Sequence, residues 1–366
     1  MTPDRRRARQ AALVRALEAE ALDALLVSSR ANIRYLTGFS GSSALVAITA
    51  ADVLLVTDFR YAEQAREEAG AVARVEVEST SVWDRFFKEL ATLGTLDTVG
   101  YEAQVVSVHD ARRFSEAGSA WRWKPTTELV ERLRAAKDDG EVAAIRSAAA
   151  LAGEALQQTL RRVRPGMSEL AIAGSLECAL RRLGSEGHPF AAIVASGPRS
   201  ALPHAHSSQR EVAAGEWLLL DFGAQVDGYC ADITRTVVVG ARASERQRVL
   251  YGLVHDAQRR ARSGVRAGMS GRDADALARD PITARGFGEA FGHSLGHGLG
   301  LEVHEAPRLS KINPDPLPAA AVVTIEPGVY LAGEGGVRIE DDVHLPPDGR
   351  AAELLSDGLT DLVELM

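Results

Sequence analysis

Cysteine is nearly absent from the 366-residue chain, which contains only Cys178 and Cys230. Two thiols cannot build the disulfide framework of a small secreted domain, and their spacing fits no zinc cluster. Long apolar runs are also missing, and about 18 consecutive apolar residues are what a membrane-spanning helix needs. The basic start, Arg5 to Arg7, is not followed by the apolar segment of a signal peptide. We therefore expect a cytoplasmic protein with no membrane partner.

Positive charge is in deficit, since 42 Lys and Arg face 50 Asp and Glu, for a net charge of −8. This balance argues against a nucleic-acid partner or an acidic membrane surface. Hydrophobic residues make up 46% and charged residues 25%, which is typical of a globular protein and excludes a disordered or fibrous chain. The length predicts two domains at roughly 150 residues each.

The first third of the chain alternates between helical and strand-like patterns. Apolar runs at 24–28, 44–48 and 53–57 predict strands, with helical segments between them. The pattern breaks around 121–125, and 128–163 then predicts two helices divided near residue 139. We expect an α/β domain over 1–124 and a second domain over 125–366.

The second domain contains a short internal sequence repeat. The segment VRPGMS at 163–168 recurs as VRAGMS at 265–270, each time between two amphipathic helices. A common helix-to-helix turn with serine as N-cap would also give this pattern. Because the flanking helices match too, we favour a duplication, which predicts an α+β domain with helices outside, a sheet inside and a pseudo-twofold axis.

Two acids interrupt an apolar hairpin in this domain. The strands LLLDFG at 218–223 and YCADITRT at 229–236 flank an Asp227-Gly228 turn, which is a strong hairpin signal. In that register Asp221 and Asp232 share one face as diagonal neighbours. A single strand aspartate would be unremarkable, but two buried carboxylates require a cation between them.

A second hairpin repeats the arrangement. Glu326 lies in VVTIEPG at 322–328 and Glu340 in GVRIEDD at 336–342, with a glycine-rich turn between them. An odd-length loop would place both glutamates on the same face.

Histidines supply the remaining candidates. The segment GHSLGHGLGLEVHE at 292–305 contains His293, His297 and His304, and the loop PRSALPHAH at 198–206 contains His204 and His206. A helical zinc-protease pair is excluded, because no glutamate follows His293 and glycines disfavour a helix. Each histidine alone could be structural, but four strand acids and one imidazole suit two divalent ions such as Mn, Co or Zn.

These motifs, in this order, resemble the metallopeptidases of the pita-bread fold, which include methionine aminopeptidase, Xaa-Pro aminopeptidase and Xaa-Pro dipeptidase. The segments NIRYLTGFSG at 32–41 and TDFRY at 57–61 resemble the creatinase-type N-terminal domain that the proline-specific enzymes carry. The resemblance implies a metal-dependent hydrolysis of Xaa-Pro bonds by an activated water between two ions, most simply manganese, with cobalt or zinc as alternatives. It also implies a homodimer.

The resemblance assigns roles to individual residues. The implied metal ligands are Asp221, Asp232, His297, Glu326 and Glu340. Glu326 would also carry the proton from the water to the leaving proline nitrogen, while His204 and His304 would hydrogen-bond the substrate and the oxyanion. His293 would line the proline side, and Arg338 would orient a carboxylate ligand.

The choice between dipeptidase and aminopeptidase depends on a carboxylate clamp. Arg308 resembles a position that some prolidases use for the carboxylate next to proline, which favours a dipeptidase. If Arg308 is a surface residue after a proline turn, the alternative is an Xaa-Pro aminopeptidase acting on longer peptides. A metal-free creatinase-like hydrolase and a non-catalytic binding module are disfavoured because the acidic ligands are retained, and a methionine aminopeptidase because it would not need residues 1–124.

Overall fold

The computed structural model describes residues 2–116, 120–356 and 358–366. The chain forms two compact units, Met1–Arg134 and Ala135–Met366. The division lies later in the chain than the boundary expected at residue 124. The reason is that the segment where the pattern breaks is the strand Arg122–Thr126, which hydrogen-bonds to the strand Thr98–Glu102 of the first unit.

The first unit is built around one mixed sheet. Its strands are β1 (Ala24–Val27), β2 (Ala44–Thr49), β3 (Val53–Asp58), β4 (Arg74–Glu78), β5 (Thr98–Glu102) and β6 (Arg122–Thr126). Its helices are α1 (Pro3–Ala19), α2 (Arg30–Thr37), α3 (Ala62–Ala69), α4 (Val82–Leu90), α5 (Val108–Glu116) and α6 (Leu129–Ala135), and Phe59–Tyr61 forms a 3₁₀ turn. The strand order is β4-β3-β2-β1-β5-β6, with β1 buried along its whole length. This confirms the predicted α/β class.

The second unit places paired helices outside several small sheets. Its helices are α7 (Asp139–Leu160), α8 (Glu169–Leu183), α9 (Glu245–Gly264) and α10 (Gly271–Ala284), with a 3₁₀ turn at Gly197–Ala201. Its strands are β7 (Ile193–Ser196), β8 (Trp217–Phe222), β9 (Gln225–Val226), β10 (Tyr229–Cys230), β11 (Ile233–Val239), β12 (Gly296–Gly298), β13 (Glu305–Leu309), β14 (Val322–Ile325), β15 (Gly328–Leu331), β16 (Gly335–Arg338), β17 (Asp341–His344), β18 (Glu353–Leu354) and β19 (Val363–Leu365).

Two larger sheets carry the site. One has the order β19-β11-β8-β7 and the other β13-β12-β14-β17-β18. An isolated bridge between Thr234 and Glu340 joins the two hairpins that contain the acids. Among the helices of the described residues, none combines the length and apolar character that a bilayer crossing requires.

The internal repeat is visible in the helix pairs. Gly166 and Gly268 occupy the turns between the helices with φ of +87° and +82°, and Ser168 and Ser270 cap the second helix of each pair. The Gly166 amide donates to Val212 O and the Gly268 amide to Leu317 O, both at 2.8 Å. The two halves of the unit therefore repeat both the turn and the hydrogen bond that closes it.

Candidate metal centre and active site

Strands β8 and β11, which form the first acidic hairpin, have one face in the apolar core and the other face toward the site. Leu218, Leu220 and Phe222 of β8 pack into the core beside α7 and α8. Because strand side chains alternate, Asp221 points away from that core. In β11 the same alternation buries Ile233 and turns Thr234 toward the Asp221 side.

The first hairpin has the predicted register. Tyr229 pairs with Val226 across a turn formed by Asp227 and Gly228, whose φ values of 50° and 78° fit a type I′ turn. The same register continues where Thr234 pairs with Asp221. Asp232 therefore shares a face with Asp221, as the sequence predicts.

The second hairpin repeats this logic. Ile325 pairs with Asp341 in one ladder, and Gly328 pairs with Arg338 in the next. Glu326 and Glu340 lie between the two ladders, opposite one another at the base of the hairpin whose loop is 332–334. The expectation of an odd-length loop is confirmed, and both carboxylates lie on one face.

His297 enters the site on a short strand, not on a helix. It is the middle residue of β12, between Gly296 and Gly298. A Cβ atom at Gly296 would lie 2.0 Å from Thr324 O, and one at Gly298 would lie 2.1 Å from Ala306 O. The glycines let neighbouring strands approach β12 closely enough for the His297 ring to reach the carboxylates.

These side chains converge into overlapping groups of possible metal ligands. Within each group the ligand atoms lie no more than 4.8 Å apart, and the groups are Asp221–Asp232–Glu340, His297–Glu326–Glu340 and Asp232–His297–His304. The His297 Nε2 atom lies 3.5 Å from Glu326 Oε1 and 3.8 Å from Asp232 Oδ2. Asp232, His297 and Glu340 each belong to two groups, and the two carboxylates among them, Asp232 and Glu340, occupy the position of bridging ligands.

Two of the candidate metal ligands each have a buried oxygen with unmet hydrogen-bonding capacity. Within the described part of the chain, Asp221 Oδ1 and Asp232 Oδ1 are buried without a hydrogen-bond partner. A buried acceptor without a partner costs about 1–3 kcal/mol, and more when it is charged. A divalent cation would satisfy both, and a set of carboxylate oxygens with one imidazole suits hard or borderline ions. The residues present therefore fit a two-ion site.

Burial and repulsion perturb the ionisation of the cluster. Desolvation, followed by the charge of Asp221, raises the pKa of Glu340 to about 8. Burial and the neighbouring Glu340 also raise the pKa values of Asp232 and Glu326 well above their ordinary values. Burial lowers the pKa of His297 to about 3, so this imidazole is neutral and its lone pair is free for a metal. Without cations, the cluster therefore holds protons near neutral pH.

An arginine-centred network supports the acids from behind. The Arg338 Nη2 atom donates to Asp221 Oδ2 at 2.5 Å, and its Nε donates to Thr234 Oγ1 at 3.1 Å. Thr234 Oγ1 in turn donates to Glu340 Oε2 at 2.6 Å. Arg338 Nη1 donates to Tyr330 Oη at 2.7 Å, and this hydroxyl lies 2.9 Å from His293 Nε2. The Arg338 guanidinium thus orients one acid from each hairpin, Asp221 directly and Glu340 through Thr234.

A cavity of about 840 Å³ opens over this cluster. Every residue that the sequence predicts for the site lines it: His204, Asp221, Asp232, His293, His297, His304, Arg308, Glu326, Arg338 and Glu340. His204, His304 and Arg308 are exposed, whereas the metal-ligand candidates Asp232 and Glu340 retain only 5% and 2% exposure. The structure thus brings these residues together around one cavity, and their individual roles stay predictions.

The sequence reasoning missed several parts of the site. Thr234, from the first acidic hairpin, and Tyr330, from the strand beside that of Arg338, both accept hydrogen bonds from Arg338. Thr234 follows Asp232 by two residues, so strand alternation could have placed it on the same face. Leu170 and Glu177 of α8 and the neighbouring Phe190 also line the cavity, and no motif identified them.

Comparison with known proteins supports both units. The profile of metallopeptidase family M24 matches residues 143–346, and that of the creatinase/prolidase N-terminal domain matches residues 9–136. The chain is 33% identical to an Xaa-Pro dipeptidase of Pyrococcus furiosus, over 92% of this chain and 94% of that protein.

Solved structures show the same similarity. An Xaa-Pro dipeptidase from Bacillus anthracis superposes with a TM-score of 0.94 at 38% identity, covering 98% of this chain and 100% of that one. An X-Pro aminopeptidase from Thermotoga maritima superposes with a TM-score of 0.89 at 39% identity, covering 97% and 99%.

Proposed function

The chain belongs to metallopeptidase family M24 and is a metal-dependent peptidase, and from this premise we propose that it hydrolyses Xaa-Pro dipeptides. The observation that carries the proposal is that Arg308 lines the same cavity as the acid and histidine cluster. Proline explains why a dedicated enzyme is needed, because its nitrogen has no N–H that an ordinary peptidase could recognise.

Five residues would hold two divalent ions. Asp221 would hold one ion and His297 with Glu326 the other, while Asp232 and Glu340 would be shared by both, with manganese as the proposed metal and cobalt or zinc as alternatives. When bound, such ions polarise a carbonyl and make water acidic enough to react near neutral pH. The two buried oxygens of Asp221 and Asp232 support this assignment.

The remaining chemistry belongs to the protein's own side chains. Glu326 would accept the proton of the attacking water on a carboxylate oxygen and deliver it to the proline nitrogen as the peptide bond breaks. His204 and His304 lie at the exposed side of the cavity, where their ring N–H groups would donate to the substrate carbonyl oxygen. Arg338 would keep Asp221 in its ligating orientation.

Arg308 would recognise the C-terminal carboxylate of a dipeptide. The proposal is supported by the backbone pairing of Arg308 with His297, a candidate metal ligand, in the ladder between β12 and β13. The exposed guanidinium offers a fork of donors that matches a carboxylate. The similarity to the aminopeptidase of Thermotoga maritima keeps Xaa-Pro aminopeptidase as the second candidate.

Variants at Arg308 test the dipeptide assignment. We expect Arg308→Ala to raise KM for Ala-Pro by about 10–100-fold, since a lost charge-assisted hydrogen bond costs roughly 1.5–3 kcal/mol. Arg308→Lys should recover only part of the loss, because ammonium cannot bind bidentately. Steady-state kinetics on Ala-Pro and the amide Ala-Pro-NH₂ would measure both effects. An equal loss on the amide, which lacks the carboxylate, would contradict the clamp and favour the aminopeptidase.

We also propose a homodimer that works in the cytoplasm. The resemblance to the proline-specific enzymes supports the dimer, and the paucity of cysteine fits a reducing compartment. Light scattering of the purified protein should give twice the 39.1 kDa chain mass. A monomeric mass would contradict the dimer.

A further inference from the structure

We propose that Glu169 is a positioning residue that holds the loop carrying His204 against the catalytic cavity. The inference rests on the proposed function, in which His204 donates to the substrate. Glu169 is the first residue of α8 and its side chain is fully buried. It belongs to none of the groups of possible metal ligands among the described residues, does not line the cavity and has no part in the chemistry set out above.

The Glu169 carboxylate joins the two ends of the segment 196–208. Its Oε1 accepts from the Ser196 amide at 2.8 Å and from the Ser196 hydroxyl at 3.0 Å. Its Oε2 accepts from the Ser208 amide at 3.0 Å and from the Ser208 hydroxyl at 2.6 Å. One buried side chain thus closes the loop that contains His204 at its tip.

Arg199 links the Glu169 carboxylate to the middle of the loop. Its Nε donates to the two carboxylate oxygens of Glu169 at 3.2 and 3.1 Å. Its Nη2 donates to the carbonyl oxygen of His206 at 2.5 Å. The arginine therefore connects Glu169 to a residue two positions after His204.

The backbone at the start of α8 adds to this closure. The Glu169 amide donates to Arg210 O at 2.9 Å, and the Leu170 amide donates to Ser208 O at 3.0 Å. These are amides that a helix N-terminus leaves without intrahelical partners. The loop supplies their acceptors, so the helix end and the loop end stabilise each other.

The tip of the loop has a defined turn. The Ala205 amide donates to Leu202 O at 3.2 Å, with Pro203 in the second position of the turn, which its fixed φ favours. Arg338 Nη1 approaches Pro203 O at 3.4 Å, and Ala205 is buried. His204 is left exposed and lines the cavity.

Fixed ends matter because a catalytic hydrogen bond requires an accurate position. A misplacement of about 1 Å can reduce a rate by about 100-fold. Replacing Glu169 with glutamine leaves one acceptor oxygen and turns an NH₂ group toward amide and hydroxyl donors. The loop would then lose the closure of at least one end, and His204 would sample other positions.

A double-mutant cycle separates positioning from general stability. We expect Glu169→Gln to lower kcat/KM on Ala-Pro by about 10–100-fold in the manganese-loaded protein, with bound metal unchanged. In a His204→Ala background the same substitution should cost less than about twofold, because the residue it positions is gone. Equal losses in both backgrounds would overturn the proposal.

A matched control is available in the first unit. Glu102 is also buried, and it accepts from the amides of Ser28 and Ser29. Glu102→Gln should lower stability without any dependence on His204. If Glu169→Gln fails to fold, Ser208→Ala removes one hydroxyl, which donates to Glu169 and accepts from the Arg210 amide, and should give a loss of about fivefold that again disappears in the His204→Ala background. Its persistence there would overturn the proposal.

Hydrogen exchange keeps this inference distinct from the proposed function. Glu169→Gln should accelerate exchange of amides in 196–208 relative to Glu102→Gln, whether or not Ala-Pro is a substrate. Faster exchange together with an inactive wild-type protein would refute the proposed function and leave the loop closure standing. Unchanged exchange would refute the loop closure even in an active enzyme.

Discussion

Asp232 and His304 differ in what the site requires of them. Asp232 is buried, belongs to two groups of possible ligands and has an oxygen without a hydrogen-bond partner in the described structure. His304 is exposed and stands against His297, with ring centroids 4.4 Å apart. The first position suits a metal ligand, and the second suits contact with substrate.

We predict opposite metal contents for two variants at these positions. Asp232→Ala should lose bound metal and lower kcat/KM by more than about 100-fold, since even indirect supports of a metal cost 10–100-fold. His304→Ala should keep both ions and lower kcat by about 100–1,000-fold, as expected for a lost oxyanion donor. Elemental analysis with kinetics measures both. Loss of metal in His304→Ala would instead make His304 a ligand, which the geometry also permits.

Single residues also mark the limit of sequence reasoning. The acids were identifiable because a carboxylate inside an apolar strand is costly unless paired. Thr234 was not, because its partners Glu340 and Arg338 come from the other hairpin, more than 100 residues later in the chain. Such a contact depends on how the two halves meet, which no local pattern specifies.

At the scale of the element, strand alternation explains most of the site. Each acidic hairpin buries its apolar side chains against paired helices and turns its acids to the opposite face. Turn chemistry at Asp227 and Gly228 sets the register of the first hairpin. These are local rules, and they account for why both registers were predictable.

The domain boundary was harder to predict from the sequence, because local patterns do not show which distant strand a segment pairs with. Strand β6 contains arginine, lysine and proline and lacks the apolar run of a buried strand. It lies at the sheet edge beside β5, where those residues are tolerated. Membership in the sheet comes from pairing with a distant strand, not from the segment's own composition.

The repeated turns give a prediction at this scale. A Cβ atom at Gly166 or Gly268 would have open space, but both residues have φ above +80°. Gly166→Ala and Gly268→Ala should therefore each reduce the free energy of unfolding by about 1 kcal/mol, through backbone strain alone. Urea denaturation measures both variants. A neutral effect at one position and a loss at the other would show that the two turns are not equivalent.

At the scale of the whole molecule, the buried acids of the site couple stability to pH. Glu340 has a pKa of about 8 in the fold, whereas an unfolded glutamate has a pKa near 4.3. Its protonated form stabilises the metal-free fold fully below the unfolded pKa, and this contribution is lost as pH rises through about 8. The raised pKa values of Asp232 and Glu326 act in the same direction.

We therefore predict that metal-free protein loses thermal stability between pH 6.5 and 9, while manganese-loaded protein loses much less because cations replace the protons. Half-buried His293 and buried His297 act in the opposite direction, but their pKa values of about 4 and 3 confine their effect to pH values below about 6.5. Calorimetry with and without chelator measures the difference. Parallel pH curves for the two forms would contradict the coupling.

The central claim is that one cavity combines two metal ions with a carboxylate clamp for dipeptides ending in proline. The most direct test is hydrolysis of Ala-Pro beside Ala-Pro-Ala by manganese-loaded protein, with a chelated control. We predict cleavage of Ala-Pro in preference to Ala-Pro-Ala, abolished by chelation. Equal or faster cleavage of the tripeptide would contradict the dipeptidase assignment, and cleavage of neither would contradict the proposed activity.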